Sequence, residues 1–369
     1  MSLQPLSNQK AEIEFRKKLY LQQVQGEALL HDEFDSVRME NILEARMKKT
    51  FDQMVLLRDR GIPLSPYIEI GAERGQRSLV MENDVGASGC AVDLSYHLLK
   101  SCRHYQQAFN KSKAPIRVCC DANNLPFMTG SVPFVFCYET LHHFPEPAPV
   151  VQEIYRVLSP GGFFFFDEEP YKKILHINLY SGKKIYSREH LTRSTARKLL
   201  DRLFAAPTCN EVEHGVIEND EISITQWKSA LAPFTKKDVQ LTASENLSMK
   251  EDLFKPFNYL KLLLLILLGG KVSGTCQKTS PGSPTATPVL ETLICPSCKL
   301  AHIEAGITRT DTAFACTRCF NVYPIFDDIL FLFTPDKLAE LYPEVRESCM
   351  ATGRQTAIMT PSPHIRAVR

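Results

Sequence analysis

One segment constrains the fold of this chain more than any other: between Tyr67 and Phe166, five short apolar runs alternate with helical stretches. The runs are Tyr67–Ile70, Gly89–Val92, Ile116–Cys119, Pro133–Tyr138 and Phe163–Phe166, each bounded by turn residues. They are apolar throughout, without the alternation of a half-exposed strand, which suits a parallel sheet covered on both faces. The helix before the fifth run carries Val150, Ile154, Val157 and Leu158 on one side and stops at Ser159-Pro160-Gly161-Gly162. Strand and helix in regular alternation predict an α/β, doubly wound sheet. Lys236–Thr242 and Lys271–Lys278 supply a sixth and a seventh strand.

The flanks divide the rest. Residues 8 to 60 read as helix, with Met39, Ile42, Leu43 and Met47 recurring at spacings of three and four until Gly61 and Pro63 stop the pattern. The expected organisation is an N-terminal helical region (1–62), a sheet domain (63–278) and a Pro/Ser/Thr-rich linker (279–290). A small unit (291–335) and a tail (336–369) follow. Within the sheet domain, the irregular part 171–250 is expected near the substrate. The run Leu262–Leu268 falls short of the ~20 residues a spanning helix needs. It reads as a core or substrate-capping helix, with a helix resting on lipid as the alternative.

Charge excludes less than it locates. Lys plus Arg number 43 and Asp plus Glu 42, so no global field argues for nucleic acid or membrane. The largest local excess lies in residues 171–202, where nine Lys or Arg stand against Glu189 and Asp201. As a cap on a pocket it favours an anionic acceptor. As a solvated helix face it is neutralised by the stretch Glu211 to Glu221. The first residues lack a basic region followed by an apolar run, so a cytoplasmic, reducing setting is expected.

In such a setting, paired cysteines point to metal. Cys295-Pro-Ser-Cys298 and Cys316-Thr-Arg-Cys319 are separated by 17 residues. Each Cys-x-x-Cys turn presents two thiolates, and two turns complete a tetrahedral zinc ribbon. Four protein ligands leave no open position, so the Zn2+ is expected to be structural.

Tyr67-Ile-Glu-Ile-Gly-Ala-Glu-Arg-Gly75 joins the first strand to a helix, where glycine lets a ligand approach the backbone and the helix start offers amide donors. A dehydrogenase fingerprint, Gly-x-Gly-x-x-Gly, is disfavoured because Glu73 and Gln76 follow Gly71 at its second and third positions. Asp93 ends the second strand, 22 positions after Gly71. Asp121-Ala122 ends the third and leads into Asn-Asn-Leu-Pro-Phe. The fourth runs into Glu139-Thr-Leu-His-His-Phe-Pro, and Arg156-Val-Leu-Ser-Pro-Gly-Gly162 precedes the fifth. This ordered set resembles the class I S-adenosylmethionine-dependent methyltransferases of the type 11-like kind, with their Rossmann-like seven-stranded sheet.

The resemblance implies roles. Glu69, Gly71 and Gly75 would line the methionine part of S-adenosylmethionine, and Asp93 would hold its ribose. Asp121 would accept from the adenine amino group with Ala122 beside it, and Tyr138 and Glu139 would sit by the sulfonium. Glu73 departs from the family, which usually has a glycine there. A general base, where the acceptor needs one, is sought among Glu139, His142 and His143, then Asp167 and Glu168. At most one of the two histidines is expected to act, and packing or capping beside Phe144 and Pro145 is their other reading.

Leu293 to Phe333, with both cysteine pairs and Tyr323-Pro-Ile-Phe-Asp-Asp-Ile-Leu-Phe-Leu332, resembles the small zinc-ribbon activator of tRNA, rRNA and release-factor methyltransferases. That likeness implies an activator built into the chain. Ile329–Leu332 is then expected to pair with an edge of the main sheet or bury its face. The histidine and Leu-Pro-Phe motifs resemble the small-molecule branch of the family, so a small-molecule or lipid-linked acceptor leads. An RNA or protein acceptor comes second, with nucleic acid the less favoured partner. A non-catalytic scaffold, its cofactor site blocked by Glu73, comes third. No Asn-Pro-Pro-Tyr-like motif follows the fourth strand, so oxygen or carbon acceptors are expected before a planar amine. The sequence carries no sign of an oligomeric state.

Overall fold

The computed structural model describes residues 7–25, 36–172, 215–217, 219, 222–244, 247–250, 259–282, 287–310 and 312–347. The basic stretch after Lys172 and most of the stretch Glu211 to Glu221 lie outside the described residues. Two N-terminal helices, α1 (Asn8–Gln25) and α2 (Ser36–Asp59), precede the sheet. There follow β1 (Tyr67–Ile70), α3 (Gln76–Val80), β2 (Gly89–Asp93), α4 (Tyr96–Ala108), β3 (Ile116–Cys119), β4 (Val132–Tyr138), α5 (Ala148–Val157) and β5 (Leu158–Tyr171).

β1 pairs in parallel with both β2 and β4, β2 with β3, and β4 with β5. Sequence order reverses between β1 and β4, and ligands of such sheets sit at the carboxyl ends of the strands beside that switch. All seven residues of β4 are buried because both faces are covered. One face packs Val150, Ile154 and Val157 of α5, each fully buried and each worth about 1.5–3 kcal/mol. The other packs Met54 and Leu57 of α2 against Phe134, Phe136 and Phe165.

β5 runs through the expected stop. Gly161 N donates to Lys278 O at 2.8 Å and Lys278 N to Gly162 O at 2.9 Å, so the Pro-Gly-Gly segment is drawn into pairing. The antiparallel side comprises β6 (Lys236–Ser244), β7 (Leu247–Lys250) and β8 (Gly270–Gln277), with helices α6 (Ile224–Ala230) and α7 (Tyr259–Leu268). β8 lies between β5 and β6, antiparallel to both, and β7 is a strand the sequence reading did not anticipate. α7 is the Leu-rich run, and only part of it is core. Leu265 is fully buried, whereas Leu260 is 71% exposed and Leu263 50%. Among the described residues no helix is long and apolar enough to cross a membrane.

The C-terminal unit contains α8 (Pro296–Leu300), β9 (Ile307–Arg309), β10 (Ala313–Cys316), β11 (Val322–Phe326), β12 (Ile329–Phe331) and α9 (Pro335–Leu341). β12 pairs in parallel with β3, Ile329 opposite Arg117 and Phe331 opposite Cys119, so the expected edge pairing is present. The described strands thus form one sheet of twelve, ordered β7-β6-β8-β5-β4-β1-β2-β3-β12-β11-β10-β9. The ribbon does not stand apart: Cys295, Phe314 and Tyr323 share a buried cluster with Phe127 and Leu125. Nor are residues 336–347 only a tail. α9 and Tyr342 pack on Tyr96 and Phe331, and Tyr342 Oη donates to Leu94 O at 2.5 Å. Its signal was legible as Leu338, Leu341, Tyr342 and Val345, an apolar face at helical spacing.

Candidate active site

A cavity of about 310 Å3 opens at the carboxyl ends of β1 to β4. Gly71 and Glu73 reach it from β1, Asp93 from β2, Asp121 and Ala122 from β3, and Glu139 and His143 from β4. Separate chain segments thereby converge on one volume, as the strand order requires.

The loop after β1 is tightly built. Gly71 has φ 66°, and a Cβ there would run into the Thr140 side chain. Gly75, at φ 70°, opens α3, and a Cβ there would lie 2.8 Å from Cys102 Sγ. Glu73 adopts φ 49°, the left-handed region that favours glycine. Its carboxylate meets Arg46 at 3.2 Å, Gln76 at 2.8 Å and Arg77 at 3.6 Å. Burial alone would raise this carboxyl, but Arg46, Arg77 and Arg74 outweigh it and hold it at about 2. The charge of Glu73 is therefore matched by neighbouring cations.

Two further carboxylates face the cavity. Asp93 accepts from Ser95 N at 2.7 Å and from Glu73 N at 2.8 Å. Burial nevertheless pushes it up to about 7. Asp121 accepts from Asn123 N at 2.9 Å and from Gln9 Nε2 at 2.7 Å. Asp93 and Asp121, on adjacent strands, are placed to take hydroxyl and amino donors. The narrow glycine turn leaves room beside them, so the residues present fit an adenosyl cofactor.

Other candidates stand behind this wall. Glu69 is buried and accepts from Ser78 Oγ at 2.5 Å. Burial raises it to about 8, against the lowering effect of Arg77. Tyr138 points to α2, its hydroxyl donating to Gln53 Oε1 at 2.7 Å and its ring lying 4.4 Å beneath the Arg77 guanidinium. Neither side chain lines the cavity, nor do Gly75 and His142. Asp167 and Glu168 are also turned to α2, where Lys49 lies 2.7 and 3.0 Å away.

The two histidines, with ring centroids 4.4 Å apart in the turn after β4, take different partners. His142 Nδ1 lies 2.9 Å from Glu169, a fully buried carboxylate that also accepts from Thr140 N, Leu141 N and His142 N at 2.8, 2.9 and 3.2 Å. His143 lines the cavity, with Nδ1 3.0 Å from Ile217 O. A carbonyl partner assigns the proton to Nδ1 and leaves Nε2 as the acceptor. Burial and neighbouring His142 hold its pKa below the ordinary histidine value, so it is neutral at pH 7. Glu169 was missed from sequence, although the acidic run Asp167-Glu168-Glu169 directly after four phenylalanines was a visible signal.

Some 24 residues apart in sequence, Cys295 and Cys319 place their sulfurs 3.5 Å apart, and Cys298 and Cys316 theirs at 3.7 Å. All four sulfurs lie within 4.8 Å of one another. A tetrahedral zinc with bonds near 2.3 Å separates its sulfurs by roughly 3.8 Å, so the set fits one ion. Tyr323 Oη lies 2.9 Å from Cys295 Sγ, and Arg318 N and Cys319 N donate to Cys316 Sγ at 3.3 and 3.4 Å.

Parallel strands β1 to β5, with the cavity at their carboxyl ends, form a Rossmann-like α/β domain. A family model described as a methyltransferase domain matches residues 68–166. The chain is 33% identical over 125 residues to an uncharacterized chloroplastic methyltransferase of Arabidopsis thaliana, covering 30% of this chain and 35% of that protein. It is 26% identical over 102 residues to a sterol 24-C-methyltransferase of Schizosaccharomyces pombe, covering 28% and 27% respectively. The chain thus spans about a third or less of the length of these curated relatives. Among solved structures, the complex of the Haloferax volcanii Trm112 methyltransferase activator with a methyltransferase matches at 16% identity and a TM-score of 0.40, covering 69% of this chain and all of that one. The magnesium protoporphyrin IX methyltransferase of Synechocystis, with bound S-adenosylmethionine, matches at 11% identity and 0.40, covering 74% and 99%.

Proposed function

We propose that the chain transfers a methyl group from S-adenosylmethionine to a small-molecule or lipid-linked acceptor. The observation that carries this reading is the convergence of Gly71, Asp93, Asp121 and Glu139 on one cavity in the order the motifs have along the chain. Asp93 would hold the ribose hydroxyls, Asp121 the adenine amino group, and the loop at Gly71 the methionine part. Bound there, the cofactor supplies a methyl on a positively charged sulfur, an electrophile with a neutral leaving group.

The chain's main contribution is then alignment, which supplies about 7–11 kcal/mol in well-oriented reactions. His143, Phe144, Pro145 and Ile217 line the cavity and would form the wall on the acceptor side. This wall offers mostly apolar contact and one neutral imidazole able to take a proton from an acceptor hydroxyl. An apolar wall suits a small or lipid-like acceptor, and the likeness to a sterol methyltransferase points the same way. The Zn2+ held by Cys295, Cys298, Cys316 and Cys319 would be structural, anchoring the ribbon that extends the sheet beyond β3.

An RNA or protein acceptor is the second reading, motivated by the basic stretch 171–202 and the ribbon. The test is transfer of labelled methyl groups into a fractionated extract, sorted into lipid, small-molecule, RNA and protein pools. Label in the lipid or small-molecule pool is expected. Label confined to RNA or protein replaces the leading acceptor with the second, and no label with no cofactor binding returns the chain to a scaffold.

A further inference from the structure

The roof of the cavity comes from outside the sheet domain. α1 lies across it, with Gln9, Glu12 and Arg16, and Ser7 just before the helix, among the lining residues. Asp121 is clamped from two sides: Asn123 holds Oδ1 through N and Nδ2 at 2.9 and 3.0 Å, and Gln9 holds Oδ2 at 2.7 Å. Each carboxylate oxygen has two lone pairs, so Oδ2 keeps one for a donor in the cavity. α1 in turn is seated by the C-terminal unit. Ile13 is buried among Phe331, Phe333, Leu338 and Tyr342, and Ser7 Oγ donates to Glu340 at 2.7 Å. On its other side Phe15 and Leu19 pack on Val216, next to the Ile217 carbonyl that faces His143.

We propose that α1, seated by the C-terminal unit, is a wall of the nucleotide site and that Gln9 is the positioning residue for its adenine end. This rests on the methyl-transfer reading and deepens it. An adenine amino group arriving at Asp121 finds the carboxylate already oriented. A hypoxanthine ring presents a carbonyl oxygen at the same place and sets lone pairs against lone pairs. Removing the Gln9 amide lets the carboxylate turn, which weakens adenine and erodes its advantage over hypoxanthine. A purely structural contribution of α1 would weaken both rings alike.

The test compares S-adenosylhomocysteine with its deaminated analogue, S-inosylhomocysteine, binding to the full chain by calorimetry. Wild type is expected to prefer the adenosyl compound. Gln9→Ala should weaken that compound about 3- to 10-fold, the range of one hydrogen bond, and leave the inosyl compound nearly unchanged. Ser7→Ala combined with Glu340→Ala should weaken both compounds equally, because it loosens the seat and not the recognition. Amide exchange along α1 should slow when S-adenosylhomocysteine is bound. An undiminished adenine preference in Gln9→Ala, or α1 exchange indifferent to ligand, overturns the inference alone. A wild type that binds neither compound overturns the methyl-transfer reading, and this inference with it.

Discussion

Arg46 of α2 bridges Glu73 and Glu139, at 3.2 and 3.0 Å, and so ties the loop after β1 to the loop after β4 across the cavity. Both acidic residues stand in left-handed backbone, at φ 49° and 47°, so one guanidinium steadies two strained turns. Arg46→Ala should weaken S-adenosylhomocysteine binding a few-fold, since the pairs are partly exposed and screened. Glu73→Gln should recover most of that loss by removing the charge Arg46 neutralised. Calorimetry on the two single variants and the double variant checks the coupling, and simple additivity would count against it.

The pH response follows from Asp93 and Glu69. Burial raises both above their unfolded values, to about 7 and about 8. The folded state therefore holds more protons than the unfolded one between roughly pH 4 and 8, and stability falls as pH rises through that window. Glu73 acts oppositely, but it is held at about 2 and loses its contribution only in stronger acid. The melting temperature without ligand should drop from pH 5 to pH 8, with a shallower slope in Glu69→Gln. With Asp93 in its proposed ribose-binding role, hydroxyl donors prefer the ionised carboxylate, so S-adenosylhomocysteine should bind more tightly as pH rises through 7.

Gly71→Ala meets both a positive φ and the Thr140 side chain. A loss of about 1–3 kcal/mol in denaturant unfolding is expected from strain and overpacking. Gly71→Ala combined with Thr140→Ser should recover only a small part of it, because the colliding methyl group is gone while the closer hydroxyl remains.

Glu169 should matter more than its distance from the cavity suggests. Glu169→Ala strands three backbone donors and His142, and a loss on the order of 3 kcal/mol is expected. Glu169→Gln keeps the shape and one acceptor oxygen and should cost less. Methyl transfer measured at a temperature where both remain folded should fall in step, because the turn carrying Glu139 and His143 is anchored on Glu169.

One zinc per chain is expected by elemental analysis. Because β12 completes the edge of β3, removing the metal with a chelator should lower the melting temperature of the whole molecule. It should not leave a folded sheet domain beside an unfolded ribbon. Two separate transitions would show that the ribbon folds independently.

Much of the fold was legible because its signals are local. The five apolar runs matched β1 to β5 since continuous burial forces continuous apolarity, and both cysteine pairs announce themselves by their spacing. Gly71, Asp93, Asp121 and His143, read from motif spacing at strand ends, all line the cavity. Glu69, Tyr138 and His142 were named for the cavity, yet they lie behind its wall. A strand's two faces alternate, so a one-residue step takes a side chain from one face to the other. Helix α9 was overlooked despite its periodicity, and Glu169 despite its place at a strand end.

The sequence by itself determined the doubly wound sheet and the four-cysteine cluster, because apolar periodicity and short-range spacing are properties of neighbouring residues. It also located Glu73 as the departure from the family pattern. Only the tertiary structure decided that Arg46 neutralises this residue, that the ribbon continues the main sheet, and that α1, packed on α9, lines the cavity. Those contacts join residues far apart in the chain, such as Ser7 and Glu340. Which distant groups meet depends on packing a whole core, and no local pattern carries that information.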